Sequence, residues 1–253
     1  MDLFETEELL IGLDGEAVPL DRFEVLEGLL KQRYDTIPPI SDVKRFRSKK
    51  NVVFAFRAGN TRLVAKLFIT DAFKKELEQL LLCARNGVNA PPVLAAKEGV
   101  ILMPLISGIP LVDALNETLS ESLTKLLAKW YSGYHSVTGL IKGDPRLRNF
   151  ILHDRKIYGL DFEEAGPGDW MDDIGGVAAS ILDTYPIGGI KKSKLVWVLF
   201  YTYISHRDIT SNLSLESSFT AFVADTLEAT ALWRENDELL KLAKNIRIDG
   251  IPR

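Results

Sequence analysis

The chain has 253 residues, is 46% hydrophobic and carries a formal net charge of −4. That length and apolar content suffice for a full core, as one large domain or as two lobes, and the charge excludes a global basic field for nucleic acid or membrane. The single cysteine, Cys83, excludes a disulfide scaffold and a Cys-ligated zinc site and points to a reducing, cytoplasmic setting.

His135, His153 and His206 lack metal-ligand spacing. Residues 1–10 open acidic, without the cationic stretch and apolar core of a signal peptide. The longest apolar run, 195–201, is too short to cross a bilayer.

Residues 1–40 read as an extension that packs on the sheet following it. Phe23, Leu26, Leu29 and Leu30 predict a helix over 21–34. Asp21 can cap its start, and Pro38-Pro39 ends it. Strand composition takes over at 43–47, 52–57 and 62–69, and Gly59-Asn60 is a hairpin signal. This predicts a three-stranded antiparallel meander. The first turn, 48–51, has no glycine, but its amides and its lysines Lys49 and Lys50 could cover phosphates. The plain alternative is a solvated turn.

Lys66 is a lone charge inside an apolar strand; alternation could equally leave it in solvent. A helix is predicted over 71–86, closed by Gly87. Its apolar stripe is Phe73, Leu77, Leu80, Leu81 and Ala84, and Glu76 lies on that stripe while Glu78 faces the wetter side. An acid on a buried edge needs a partner, and Lys66 is the nearest cation in sequence. Glu76, rather than Glu78, is therefore the candidate for an ion pair, against the alternative of a flank glutamate reaching solvent.

Residues 91–94 and 100–106 read as two more strands. The turn after them, Ser107-Gly108, suits a hinge between an N-lobe of 41–106 and a C-lobe of 107–253. If adenine binds there, the Pro104 carbonyl and the Ile106 amide are free to pair with its edge, with Met103 as back wall. An ordinary strand and turn would read the same.

A strong amphipathic helix follows at 119–134, with His135, read as a packed, hydrogen-bonded histidine, at its end. It delivers the chain to 142–162, K-G-D-P-R-L-R-N-F-I-L-H-D-R-K-I-Y-G-L-D-F. Asp144, Asn149 and Asp161 sit there around a short hairpin. Phosphoryl-transfer enzymes use this pattern: the first Asp accepts a hydroxyl proton, and the Asn and second Asp hold magnesium on the phosphates. A Gly/Pro loop leads to a helix starting near Trp170, then a buried helix over 195–204 and further helices over 217–233 and 237–246. The fold class is α+β: a small antiparallel sheet lobe with one main helix, then a larger, mostly helical lobe.

From about Val43 onward these residues resemble the protein-kinase-like phosphotransferases of the aminoglycoside phosphotransferase and choline kinase type, kin to atypical RIO and tRNA-modification-associated kinases. The family's strand lysine and helix glutamate fall on Lys66 and Glu76. Its G-V-x-x-P turn falls on Gly87–Pro91, and its hinge pattern on Leu102–Gly108. Its G-D-x-x-x-x-N loop falls on Gly143–Asn149, its D-F-E on Asp161-Phe162-Glu163, and its A-G-x-G-D-x-x-x-D-I on Ala165–Ile174. Any one motif is weak; six in order are specific.

The resemblance implies a two-lobe fold with ATP between the lobes, Lys66 gripping phosphates, Asn149 and Asp161 on Mg2+, Asp144 as base and Asp173 bracing the loop. It implies a kinase acting on an alcohol group, and the absence of an activation segment of protein-kinase length favours a small-molecule acceptor. The competing readings are an atypical RIO-like serine/threonine protein kinase or ATPase, and a silent binding module. The chain departs from the family in having Lys142 where His is usual, Pro104 at an acidic hinge position, and no glycines in the nucleotide-covering loop. Lys142, Arg146 and Arg148 add positive charge beside the base, which suits an anionic acceptor or else fold-level salt bridges.

Overall fold

The computed structural model describes residues 17–48 and 50–253. The readings made for residues 1–16 and for Lys49 lie outside them. The chain forms two compact units, one comprising the chain up to Arg85 with Ala90–Ser107, the other Asn86–Asn89 with Gly108–Arg253.

The first unit holds helix α1 (Asp21–Tyr34), strands β1 (Ile40–Phe46), β2 (Asn51–Ala58) and β3 (Thr61–Phe68), helix α2 (Ala72–Arg85), and strands β4 (Ala95–Lys97) and β5 (Val100–Pro104). The strands form one sheet in the order β1-β2-β3-β5-β4, every neighbouring pair antiparallel. Gly59-Asn60 makes the tight β2–β3 turn; Gly59 takes a left-handed φ of 59° there. Leu26, Leu29 and Leu30 of α1 pack into a core with Val52, Phe54, Leu63, Ala65 and Leu67 of the sheet. Each such fully buried leucine contributes on the order of 1.5–3 kcal/mol. Because Leu63, Ala65 and Leu67 turn to α1, alternation aims Lys66 at the opposite face of the sheet.

Two local readings change. Leu20, without a side-chain cap, occupies the position before α1, and Asp21 lies inside the first turn, where its charge meets the helix dipole. Residues 91–94 are not a strand: Pro91 and Pro92 lack N–H donors, and the ladder begins at Ala95.

The second unit contains a small antiparallel sheet of β6 (Ile109–Pro110), β7 (Phe150–His153) and β8 (Lys156–Gly159). Its helices are α3 (Leu111–Thr118), α4 (Glu121–Thr138), α5 (Trp170–Asp183), α6 (Ile190–His206), α7 (Leu213–Arg234) and α8 (Asp237–Asp249). The helix expected from 119 begins later, because Leu119 ends α3 in a left-handed conformation and the Ser120 hydroxyl caps α4 by accepting from Leu123 N–H. It also runs past His135 to a left-handed cap at Gly139. A capping box of Asp169 and Asp172 starts α5. The core joins α6 to α7 through Phe200 and Phe219, stacked with centroids 4.4 Å apart. Among the described residues, no helix is long and apolar enough to cross a membrane. A sheet-rich first unit and a larger, mostly helical second one make the two-lobe, protein-kinase-like architecture expected of the sequence.

Candidate active site

In the first unit, Lys66 of β3 and Glu76 of α2 are 6% and 2% exposed and form an ion pair with Nζ–Oε2 of 2.5 Å. Strand alternation aims the lysine, and the position of Glu76 on the stripe of α2 aims the acid. A buried pair costs desolvation that only close geometry offsets, so it holds a charge where apolar residues would pack at less cost. The pair is net neutral and fixes the position of the Lys66 ammonium on the strand.

At the end of β5, Met103 is buried while Pro104 and Ile106 are half-buried. Leu105 N–H donates to the Arg62 carbonyl at 3.1 Å. That bond makes Leu63 and Pro104 a non-hydrogen-bonded pair, so the Pro104 carbonyl points away from β3. Lys50 is exposed in the turn before β2.

In the second unit, the chain leaves α4 at Gly139 and is anchored by the bridge Ile141↔Gly166. Gly143 takes φ 82°, and a Cβ there would lie 2.3 Å from the Glu164 carbonyl oxygen, so only glycine fits. Asp173 of α5, fully buried, braces this corner. Its carboxylate accepts from Lys142 N–H at 2.6 Å and Gly143 N–H at 3.0 Å, and its Oδ2 lies 2.9 Å from His135 Nε2. The other ring nitrogen of His135 meets the Tyr203 hydroxyl at 2.8 Å, so that histidine is packed and bonded on both sides.

The loop so braced presents Asp144, whose side chain is 25% exposed. Asn149 Nδ2 donates to Asp144 Oδ2 at 2.8 Å and to its carbonyl at 3.2 Å. Arg146 Nε lies 3.1 Å from Asp144 Oδ1. Both carboxylate oxygens are therefore oriented. Asn149 ends a 3₁₀ turn, Leu147–Asn149, and its carbonyl accepts from Leu160 N–H at 2.8 Å, which brings Asp161 alongside. Asp161 holds φ 60°, a left-handed conformation uncommon for a non-glycine residue.

Lys142 explains how that conformation is kept. Its side chain has no solvent exposure; Nζ donates to the carbonyls of Asp161 at 2.8 Å and Asp144 at 3.2 Å, and lies 5.6 Å from the Phe162 ring centroid. The ammonium is turned inward onto the backbone of both loops. Arg146 and Arg148 do point outward. Arg146 also lies 5.9 Å from the Trp233 ring centroid. Partial burial of the guanidinium, then Arg146 and Arg234, lower the pKa of Arg148, with Asp144 and Asp161 acting against them. Arg234, 3.0 Å from Asp183, is the functional candidate that sequence reading missed. It closes α7, 60 residues beyond Ile174 where the last motif ends, and nothing local marks it.

The donor chemistry suits a hard divalent cation. Asn149 commits its Nδ2 to Asp144, which leaves the carboxamide oxygen, and Asp161 adds a carboxylate; oxygen donors of this kind suit magnesium.

Comparison with known proteins follows the same lines. A relative from Archaeoglobus fulgidus, named "Probable serine/threonine-protein kinase BUD32 homolog", is 32% identical over 89 residues, which is 35% of this chain and 43% of that one. The match thus spans less than half of that relative. The solved amicoumacin kinase hAmiN, in complex with AMP-PNP, Ca2+ and Ami, superimposes with a TM-score of 0.66 at 11% identity, covering 90% of this chain and 94% of the other. Choline kinase from Cryptosporidium parvum gives 0.60 at 13% identity, covering 90% and 97%. These likenesses are of fold. Residues 39–167, just over half of the chain and inclusive of both the Lys66–Glu76 pair and the Asp144–Asp161 loops, match the RIO domain, and the chain belongs to that family.

Proposed function

We propose that the protein is an ATP-dependent phosphotransferase that moves the γ-phosphoryl group to a hydroxyl of a small molecule. The observation that carries this reading is the doubly oriented Asp144 carboxylate, held by Asn149 and Arg146 beside an Asp161 kept in a left-handed conformation. A carboxylate fixed at both oxygens can align an acceptor hydroxyl and take its proton as the new bond forms. Lys66, fixed by Glu76, supplies charge for the non-transferred phosphates, and the polar atoms near the end of β5, the Pro104 carbonyl and Ile106 amide with Met103 behind them, offer a register for adenine. Asn149 and Asp161 would hold magnesium, which when bound neutralises phosphate charge. Lys142 and Asp173 keep both loops in place, so most of the acceleration derives from positioning and electrostatics.

Two substitutions test the roles. Asp161→Ala abolishes magnesium-dependent nucleotide turnover. Asp144→Asn keeps nucleotide binding, measured by thermal shift, and loses transfer; full transfer by Asp144→Asn would refute the assignment. A second reading, transfer to a protein hydroxyl, is favoured by the RIO domain match. Labelled ATP offered with metabolite pools and with protein extracts separates the two by which fraction takes the label.

A further inference from the structure

The catalytic loop carries more positive charge than its own folding uses. Arg148 is exposed on the 3₁₀ turn, four residues after Asp144, and makes no ion pair among the described residues. The two guanidinium groups beside it are already matched, Arg146 to Asp144 at 3.1 Å and Arg234 to Asp183 at 3.0 Å. The contact of Arg146 with Trp233, itself 61% exposed, ties the end of α7 to the loop, so the arrangement is tertiary and not a run of neighbouring residues. Like charges crowded in this way repel: Arg146 and Arg234 act against the charge on Arg148, while Asp144 and Asp161 favour it. A fold-level salt bridge would have supplied a carboxylate. Asp144 and Asp161 favour its charge without forming an ion pair with it, which leaves its donors open to an anion from outside.

We propose that Arg148, with Arg146 and Arg234 beside it, anchors a phosphate group on the acceptor, so that the substrate is a small phosphomonoester bearing a free hydroxyl. Forked donors drawn from the 3₁₀ turn and from the end of α7 suit a tetrahedral dianion, which offers three oxygens, better than a monocarboxylate, which one fork satisfies. The anchor lies next to Asp144, and the free hydroxyl of the same molecule would be held there. Its oxygen attacks the γ-phosphorus of ATP, the bond from that phosphorus to the β–γ bridging oxygen breaks, ADP leaves with the electron pair, and the hydroxyl proton passes to the Asp144 carboxylate. The proposal rests on the phosphotransfer reading above and names its substrate class.

Inorganic phosphate is the probe. The full chain is first titrated with AMP-PNP and magnesium by thermal shift; absence of binding removes the phosphotransfer reading and this proposal with it. On the AMP-PNP-saturated protein, phosphate is then titrated calorimetrically at constant ionic strength, with acetate in parallel. Saturable phosphate binding, weakened at least about tenfold by Arg148→Ala and less by Arg234→Gln, with AMP-PNP affinity unchanged, is the expected result. Arg148→Lys, which keeps the charge and loses the fork, falls between and serves if the alanine variant does not fold. Nucleotide binding without saturable phosphate binding, equal phosphate affinity in Arg148→Ala, or acetate binding as well as phosphate would each overturn the proposal alone. So would loss of AMP-PNP affinity in Arg148→Ala, since the guanidinium would then belong to the nucleotide.

Discussion

Lys142 departs furthest from what its residue type suggests. A lysine beside the proposed base reads, in sequence, as a contact to an anionic acceptor or as a salt bridge. The structure instead buries it completely and spends its ammonium on two backbone carbonyls, those of Asp144 and Asp161. Nothing in the local pattern distinguishes these fates, because the carbonyls it serves belong to loops joined only by tertiary structure. Glu76 was legible for the opposite reason: an acid on an apolar stripe creates a debt of desolvation that its own sequence announces, and Lys66 meets it at 2.5 Å. Lys142→Met keeps the volume and removes the donor. It leaves two carbonyls without that amine, at a cost on the order of 1–3 kcal/mol each, which calorimetry reads as about 2–4 °C of Tm per kcal/mol in a chain of this size. Transfer activity falls with it, mainly in kcat. An unchanged Tm would show that the amine is idle.

Periodicity located most elements but misjudged where they stop. The predicted helix over 119–134 is α4, displaced to Glu121–Thr138, because a left-handed Leu119 separates it from α3. An eight-residue helix such as α3 spans barely two turns and offers too few apolar positions to declare itself. The strand expected at 91–94 fails on proline chemistry. Strand β3 and helix α2 lie close to their predicted bounds, since a loose alternation and a clear stripe were each bounded by turn residues. The loop elements were legible as motifs, yet their curvature was not: Gly143 is demanded both by φ 82° and by the Glu164 carbonyl behind it. Gly143→Ala must therefore push apart the segments joined at Ile141 and Gly166. The expected effect is a loss of about 1–3 kcal/mol in denaturant unfolding, with Asp144 displaced and transfer lost. Wild-type activity in Gly143→Ala would mean that the corner relaxes freely.

Across the whole chain, α+β composition and six ordered motifs were enough to read a protein-kinase-like fold, and the RIO domain match over 39–167 covers all of those motifs but the end of the last. The two units do not divide at a single point of the chain. Asn86–Asn89 belongs with the second unit although both its flanks belong with the first. Its role there is visible in two bonds: the Asn89 carbonyl accepts from the Trp130 indole N–H at 2.8 Å and from Gly159 N–H at 3.1 Å. A fragment of residues 108–253 retains Asp144, Asn149 and Asp161 and lacks that acceptor. Its expected behaviour is a weaker near-ultraviolet circular dichroism signal from Trp130 and an earlier thermal melt than the intact chain; a native-like signal and melt from the fragment would count against this. Scissors applied at the obvious seam would thus remove a splint of four residues from the half that looks whole, and anyone dissecting this molecule would do better to cut by mutation than by truncation.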